Sequence, residues 1–298
     1  MRTFLALSRS THGVLDIAMP GFAALLWLGH FPGWLVLIVA LVTALAGYTA
    51  LYALNDIVGV RTDREKFGEH GPNEGYSVEA SDLRYPIAQG KLSLGRAIAW
   101  FSLWYLIALA GAWWLNPWLL VIVIAAPILE TLYCWMFKVS WTRVLVSGVV
   151  KSLGPIAAVL AVVPEPRIEW LGLMLAWLMC WEIGGQNIPA DWNDVEEDRR
   201  VGARTIPLVF GPRVAGTVVL IALVATVALS FGLAIMSPLA LGWPWHLGIG
   251  LIGLVLLLIP GFRLFQSHEG RRAARLFDRA SLYPLALLVL VTVFVLLG

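Results

Sequence analysis

Apolar runs of about twenty residues, parted by short polar stretches, recur along nearly the whole chain. Each is long enough for an α-helix to cross the roughly 30 Å hydrocarbon core of a bilayer. Reading from break to break gives nine such runs: 14–30, 34–54, 96–115, 118–136, 143–163, 168–188, 214–236, 246–265 and 281–298. The expected fold class is all-α, an integral membrane bundle of nine transmembrane helices, forming one domain over 1–298. The polar stretches alternate in charge. The residues before the first run and the connections at 55–96, 137–143, 189–213 and 262–280 hold every lysine and arginine but two. The exceptions are Lys151, inside a run, and Arg167, alone on the opposite side. Basic loops stay cytoplasmic, so the N-terminus is expected inside and the C-terminus outside, as an odd number of crossings requires. The two long connections, 55–96 and 189–213, then lie on the inner face, where they are expected to cap an active site. Trp34, Trp118, Trp170, Trp243 and Trp245 sit near run ends and read as interfacial anchors.

Composition narrows the partners. The chain is 59% hydrophobic and 13% charged, against about 25% charged in soluble domains. A net charge of +2 gives no reason to expect nucleic acid. Cys134 and Cys180 fall within apolar runs and read as small buried side chains rather than a disulfide. The first run is too long for a secretory signal and lacks a small-residue cleavage site. His12, His30, His70, His246 and His268 show no ligand spacing, so no zinc or haem site is expected.

Two groups of carboxylates stand out, because acid is costly next to lipid and tends to be kept for use. One is Asn55-Asp56 with Asp63; the other is Asp191, Asp194 and Asp198. On a helix, Asn187, Asp191, Asp194 and Asp198 fall within about 60° of one another. Acids so crowded repel unless cations sit among them, and an oxygen-rich, partly hydrated site suits Mg²⁺ with phosphate oxygens as further ligands. The same spacing also describes a solvated helix end whose acids pair with Arg199, Arg200 and Arg204. Asp56 and Asp63 share a face but stand about 10 Å apart along a helix axis. Alone, they are explained as well by an ordinary turn at a helix end.

Taken together, the chain resembles the UbiA-type intramembrane prenyltransferases. Their signature is Asn-Asp-x-x-Asp-x-x-x-Asp after the second span and Asp-x-x-Asp-x-x-x-Asp after the sixth. Asp191, Asp194 and Asp198 match the second motif. Asn55, Asp56 and Asp63 match the first, but its middle acid falls at Gly59. Gly202-Ala203-Arg204-Thr205-Ile206-Pro207 through Gly211 and the stretch Arg84–Ser93 also resemble the family, as do Arg9 ahead of the first span and Ser281 and Tyr283 opening the last. A longer gap than expected separates Asp63 from Arg84. Its acids (Glu65, Glu69, Glu74, Glu79 and Asp82) would serve as a lid or a replacement ligand.

The resemblance implies a polyprenyl diphosphate substrate, a Mg²⁺ cofactor, a small acceptor and a bilayer as surroundings. It assigns metal binding and catalysis to Asp56, Asp63, Asp191, Asp194 and Asp198, and substrate contacts to Asn55, Asn187, Arg9, Arg84 and Lys138. Lys151 would touch diphosphate or balance a carboxylate. Glu182 and Gln186, four residues apart, would line an acceptor pocket, and Glu130 would bond between helices. Diphosphate leaves only if its growing charge is stabilised, and dry walls keep water from the allylic cation. The expected activity is prenyl transfer to a small, aromatic, quinone-precursor acceptor. A terpene cyclase of the same fold is the alternative. An ion-coupled transporter would need inverted repeats and acids near the midplane; here the acids gather at one face and no repeat is visible.

Overall fold

Lipid cannot satisfy backbone polar groups, so apolar runs of this length must close their own hydrogen bonds as helices. The computed structural model describes residues 2–67 and 84–297, and these residues are helical almost throughout. In chain order, α1 (Arg2–Leu7) and α2 (Ser10–Leu28) precede α3 (Trp34–Phe67), α4 (Leu94–Leu115), α5 (Leu119–Trp135), α6 (Arg143–Val162) and α7 (Ile168–Trp181). A π-helical turn, Glu182–Asn187, joins α7 to α8 (Ile188–Asn193); α9 (Val195–Arg200), α10 (Ile206–Gly232) and α11 (Trp243–Gly253) follow. A second π turn, Leu254–Leu258, leads into α12 (Ile259–Ser267), α13 (Gly270–Ser281) and α14 (Tyr283–Leu297).

Among the described residues, seven helices are long and apolar enough to cross a membrane. The other two expected spans are also helical. One is short, with only Gly13–Leu28 counted as apolar helix. The other, α7 continuing into α8, is interrupted by a turn whose Glu182, Gln186 and Asn187 are buried polar residues. Large apolar side chains such as Leu106, Trp113, Ile128, Ile221 and Leu251 face outward and are more than half exposed. A surface of that kind is suited to lipid.

The expected boundaries hold least well for α3. It runs 34 residues to Phe67, well past the anticipated end at 54. At 1.5 Å per residue it is about 51 Å long, so its last turns project beyond the hydrocarbon and carry Asp56 and Asp63 on continuous helix rather than on a loop.

The main core gathers α2, α6, α7, α10, α11 and α14 around aromatic side chains. Phe22 stacks on Trp245 with ring centroids 6.4 Å apart and meets Trp177 at 5.7 Å. Trp245, expected as an interfacial anchor, is therefore wholly buried, because its ring fills the space between α2 and α14. Trp34, Trp118 and Trp243 remain exposed at helix starts. A smaller cluster, Leu7, Ala53, Ile87, Leu92 and Ala97, fastens α1 and the 84–93 segment to α3 and α4. This places Arg9 and Arg84 beside the acidic end of α3.

Candidate active site

The C-terminal half of α3, the start of α6, the α8–α9 segment and residues 84–93 meet at one end of the bundle, where acids and bases interlock. Arg9 reaches Asp56 at 3.5 Å and Asn55 Oδ1 at 3.2 Å. Lys66 pairs with Asp198 at 2.5 Å, Arg84 with Asp194 at 2.5 Å, and Arg143 with Asp191 at 3.0 Å. Asp56, Asp198, Lys66 and Arg143 are buried, and Asp191 and Asp194 keep only 13% of their side-chain surface. Aromatic faces hold the cations in place. The Arg143 guanidinium lies 4.1 Å from the Tyr133 ring centroid and 4.7 Å from that of Phe137, and Lys66 lies 4.9 Å from Phe137. Arg9 and Tyr85, 5.6 Å apart, both have left-handed backbone, with φ 42° and 55°; non-glycine residues take this region rarely and often at functional sites.

Two of these bases, Lys66 and Arg143, were not expected to act here; in the sequence they read only as inner-face charges. Lys66 sits one turn beyond Asp63, which was a usable signal, whereas Arg143 is brought in by tertiary packing alone. Lys138, expected at the diphosphate, instead pairs with Glu65 at 2.6 Å on the rim, both side chains about 40% exposed. The acids do not pair with Arg199, Arg200 or Arg204 here; Arg199 meets Glu196. Glu69, Glu74, Glu79 and Asp82 lie outside the described residues.

The second motif is not one helix face. The π turn ends at Asn187, and the chain leaves helical geometry again at Asp194 (φ −95°, ψ 14°). Asp191, Asp194 and Asp198 therefore reach three different bases. Asn187 donates to Tyr133 at 2.9 Å and Ser147 at 3.1 Å. Among the described residues, no three acidic, histidine or cysteine side chains are grouped closely enough to hold a metal ion. The donor chemistry nonetheless fits a hard divalent cation. Burial pushes the Asp198 carboxyl up to about 7 despite Lys66, with Asp191 and Asp194 adding to the effect. Burial disfavours charge on Asp194 too, but Arg84 and Lys66 outweigh it and hold that carboxyl below the usual range. Asp63 lies in the same field of Lys66, Arg9 and Arg84. The mouth thus holds more carboxylate than its bases neutralise. Asp63 Oδ2 stands 3.0 Å from where a Gly59 Cβ would be, so its carboxylate occupies the space beside that glycine.

Two cavities open below the mouth. A polar one of about 160 Å³ is lined by Asn55, Glu130, Tyr133, Ser147, Lys151, Glu182, Gln186 and Asn187. Lys151 pairs with Asp16 at 2.6 Å and donates to Tyr52 at 3.3 Å, so it balances a carboxylate. Asp16 was overlooked, although an acid inside an apolar run is itself a signal. Glu130 takes a hydrogen bond from Asn55 at 2.6 Å, the expected bond between helices. An apolar chamber of about 380 Å³ runs from Tyr48 and Leu51 to Leu115, Leu119 and Val162. Those last three residues lie at the helix ends opposite the acids.

Residues 17–295 match the UbiA prenyltransferase family. The chain belongs to that family. It is 27% identical over 206 residues to a 4-hydroxybenzoate octaprenyltransferase of Shewanella frigidimarina, covering 67% of this chain and 66% of that protein. It is 26% identical over 195 residues to a digeranylgeranylglyceryl phosphate synthase of Thermococcus kodakarensis, covering 64% and 66%. Each match spans slightly under two thirds of the relative's own length. The fold of this UbiA family member is similar to that of a UbiA homologue from Aeropyrum pernix K1 (TM-score 0.74, 18% identity, 96% and 97% of the two chains covered). It is also similar to one from Archaeoglobus fulgidus solved with DMAPP and Mg²⁺ (TM-score 0.69, 17% identity, 98% and 99% covered).

Proposed function

We propose that this protein transfers a prenyl group from a polyprenyl diphosphate to a small acceptor within the membrane. The observation that carries the reading is the junction at Tyr48. There the apolar chamber adjoins a polar cavity that leads up to a mouth of buried acids and bases. The tail lies in the chamber and the diphosphate at the mouth. Arg9, Lys66, Arg84 and Arg143 donate to diphosphate oxygens as each loosens its carboxylate partner. Asp56, Asp63, Asp191, Asp194 and Asp198 would hold the magnesium that solved homologues of this fold carry. Bound there, Mg²⁺ supplies Lewis-acid neutralisation of the departing diphosphate. The chamber walls exclude water from the allylic carbon.

In this reading the described parts of the 55–96 connection and the 189–213 segment cap the site, within a single domain. The basic residues of the inner connections support a cytoplasmic mouth and N-terminus, with the C-terminus opposite. A small aromatic acceptor is supported by the relatives named for 4-hydroxybenzoate. The polar cavity next to the mouth favours transfer to an acceptor over cyclisation. Incubating the purified protein with labelled prenyl diphosphates, with and without phenolic acceptors, tests this. Prenylated product that requires an acceptor is expected. Diphosphate release with a cyclised hydrocarbon and no acceptor would replace the reading with the cyclase.

A further inference from the structure

The polar cavity contains two oxygen atoms that nothing among the described residues satisfies: Glu182 Oε2 and Asn187 Oδ1. Both side chains are more than nine-tenths buried and both line the cavity. They are brought together by the π turn. In an α-helix, residues five apart diverge by about 140°, whereas the i to i+5 bonding of a π turn returns them to one side. Ser147 ties the pair, donating to Glu182 Oε1 at 2.6 Å and accepting from Asn187 Nδ2 at 3.1 Å. The turn itself is locked by close packing. A Cβ on Gly184 would stand 2.9 Å from Ala222 Cβ and 3.0 Å from Val219 O, and one on Gly185 would stand 2.9 Å from Ala280 Cβ.

With Glu182 ionised, as the neighbouring Lys151 favours, both open atoms are acceptors and what the cavity lacks is a donor. A buried acceptor left unmade costs free energy, and a ligand that donates to it recovers that cost. Charge around the cavity points the same way. Its two cations already face carboxylates, Lys151 against Asp16 and Arg9 against Asp56. Glu130 and Glu182 take hydrogen bonds from Asn55 and Ser147, and the cations whose field reaches them, Lys151, Arg9 and Arg143, are each already held by an aspartate, Asp16, Asp56 and Asp191. A ligand carboxylate here would meet two acids with no cation to spare.

We propose that this cavity selects an uncharged acceptor that donates a hydroxyl to Glu182 and Asn187, and that it rejects acceptors bearing a carboxylate. The proposal rests on the prenyl-transfer reading and names the chemistry of its acceptor. The test compares two probes of the same skeleton, 4-hydroxybenzyl alcohol and 4-hydroxybenzoate, with geranyl diphosphate and Mg²⁺ as donor. The wild-type protein is expected to prefer the alcohol by about a hundredfold in kcat/KM, the scale of placing like charges together in a buried site. Glu182→Gln should narrow that ratio to about tenfold or less by improving the benzoate, since the repelling charge is gone. Equal or better use of the benzoate by wild type would overturn the proposal. So would an unchanged ratio in Glu182→Gln. A rise in melting temperature with geranyl diphosphate and Mg²⁺, but no transfer to either probe, would overturn it while leaving the donor site intact. No rise in melting temperature would instead sink the prenyl-transfer reading, and this inference with it. Should Glu182→Gln fail to fold, the wild-type ratio alone decides.

Discussion

The apolar chamber and the polar cavity touch at Tyr48, Leu51 and Val150, which line both, yet they are made of different material. The chamber is walled by small residues, among them Ala40, Ala44, Gly47, Ala108, Gly154, Ala157 and Ala161, on α3, α4 and α6. Its space exists because side chains are missing. The polar cavity and the mouth above it are full of long charged groups, and their space depends on each charge meeting its partner. At the boundary, Tyr48 fits only because Gly154 is bare: a Cβ there would stand 2.5 Å from the Tyr48 hydroxyl. The contrast predicts two kinds of sensitivity. The chamber should respond to volume and to tail length, and the mouth to charge whatever the tail.

The largest effect should come from removing charge at the mouth. Asp194→Ala and Asp198→Ala are expected to lower turnover by about a thousandfold or more, the scale of losing preorganised electrostatic stabilisation, while the protein stays extractable and folded. Near-normal transfer of labelled prenyl groups by either variant would remove those acids from the site. Asp63→Ala should cost about a hundredfold by the same argument. Because Asp63 occupies the space over Gly59, adding Gly59→Asp to that variant should restore part of the loss. A double variant no better than the single would show that the two positions are not interchangeable.

The chamber should behave differently. Ala157→Phe adds volume to its wall, and overpacking of that kind is expected to cost about tenfold with a long polyprenyl diphosphate. Dimethylallyl diphosphate should be used as before. Equal losses for short and long tails would mean that the tail lies elsewhere. The smallest effect is expected on the rim, where Lys138 and Glu65 are both well exposed. Lys138→Ala should leave turnover within about threefold of wild type, as is usual for an exposed pair.

The bundle was legible because lipid enforces one rule everywhere, and runs of the right length between basic loops follow from it. The acids of the mouth were legible because charge beside lipid is rarely idle, and two spaced motifs carried the family resemblance. What escaped the sequence depended on departures from regular helix. The α-helical period from Asn187 to Asp198 breaks at Asp194, and the π turn ending at Asn187 sets that residue beside Glu182 in the polar cavity. The buried role of Arg143 depends on Tyr133 and Phe137 arriving from another helix, which no local pattern encodes. The pairing of Lys138 with Glu65, seventy-three positions away, is likewise set by the fold and by no local pattern.

A structure with Mg²⁺ and a non-hydrolysable geranyl thiodiphosphate is the decisive measurement for prenyl transfer at this mouth. The diphosphate is expected among Asp56, Asp63, Asp191, Asp194 and Asp198, in contact with Arg84 and Arg143, with the geranyl chain running past Tyr48 into the apolar chamber. Density for the head group away from these acids, or for the tail outside the chamber, would contradict that reading.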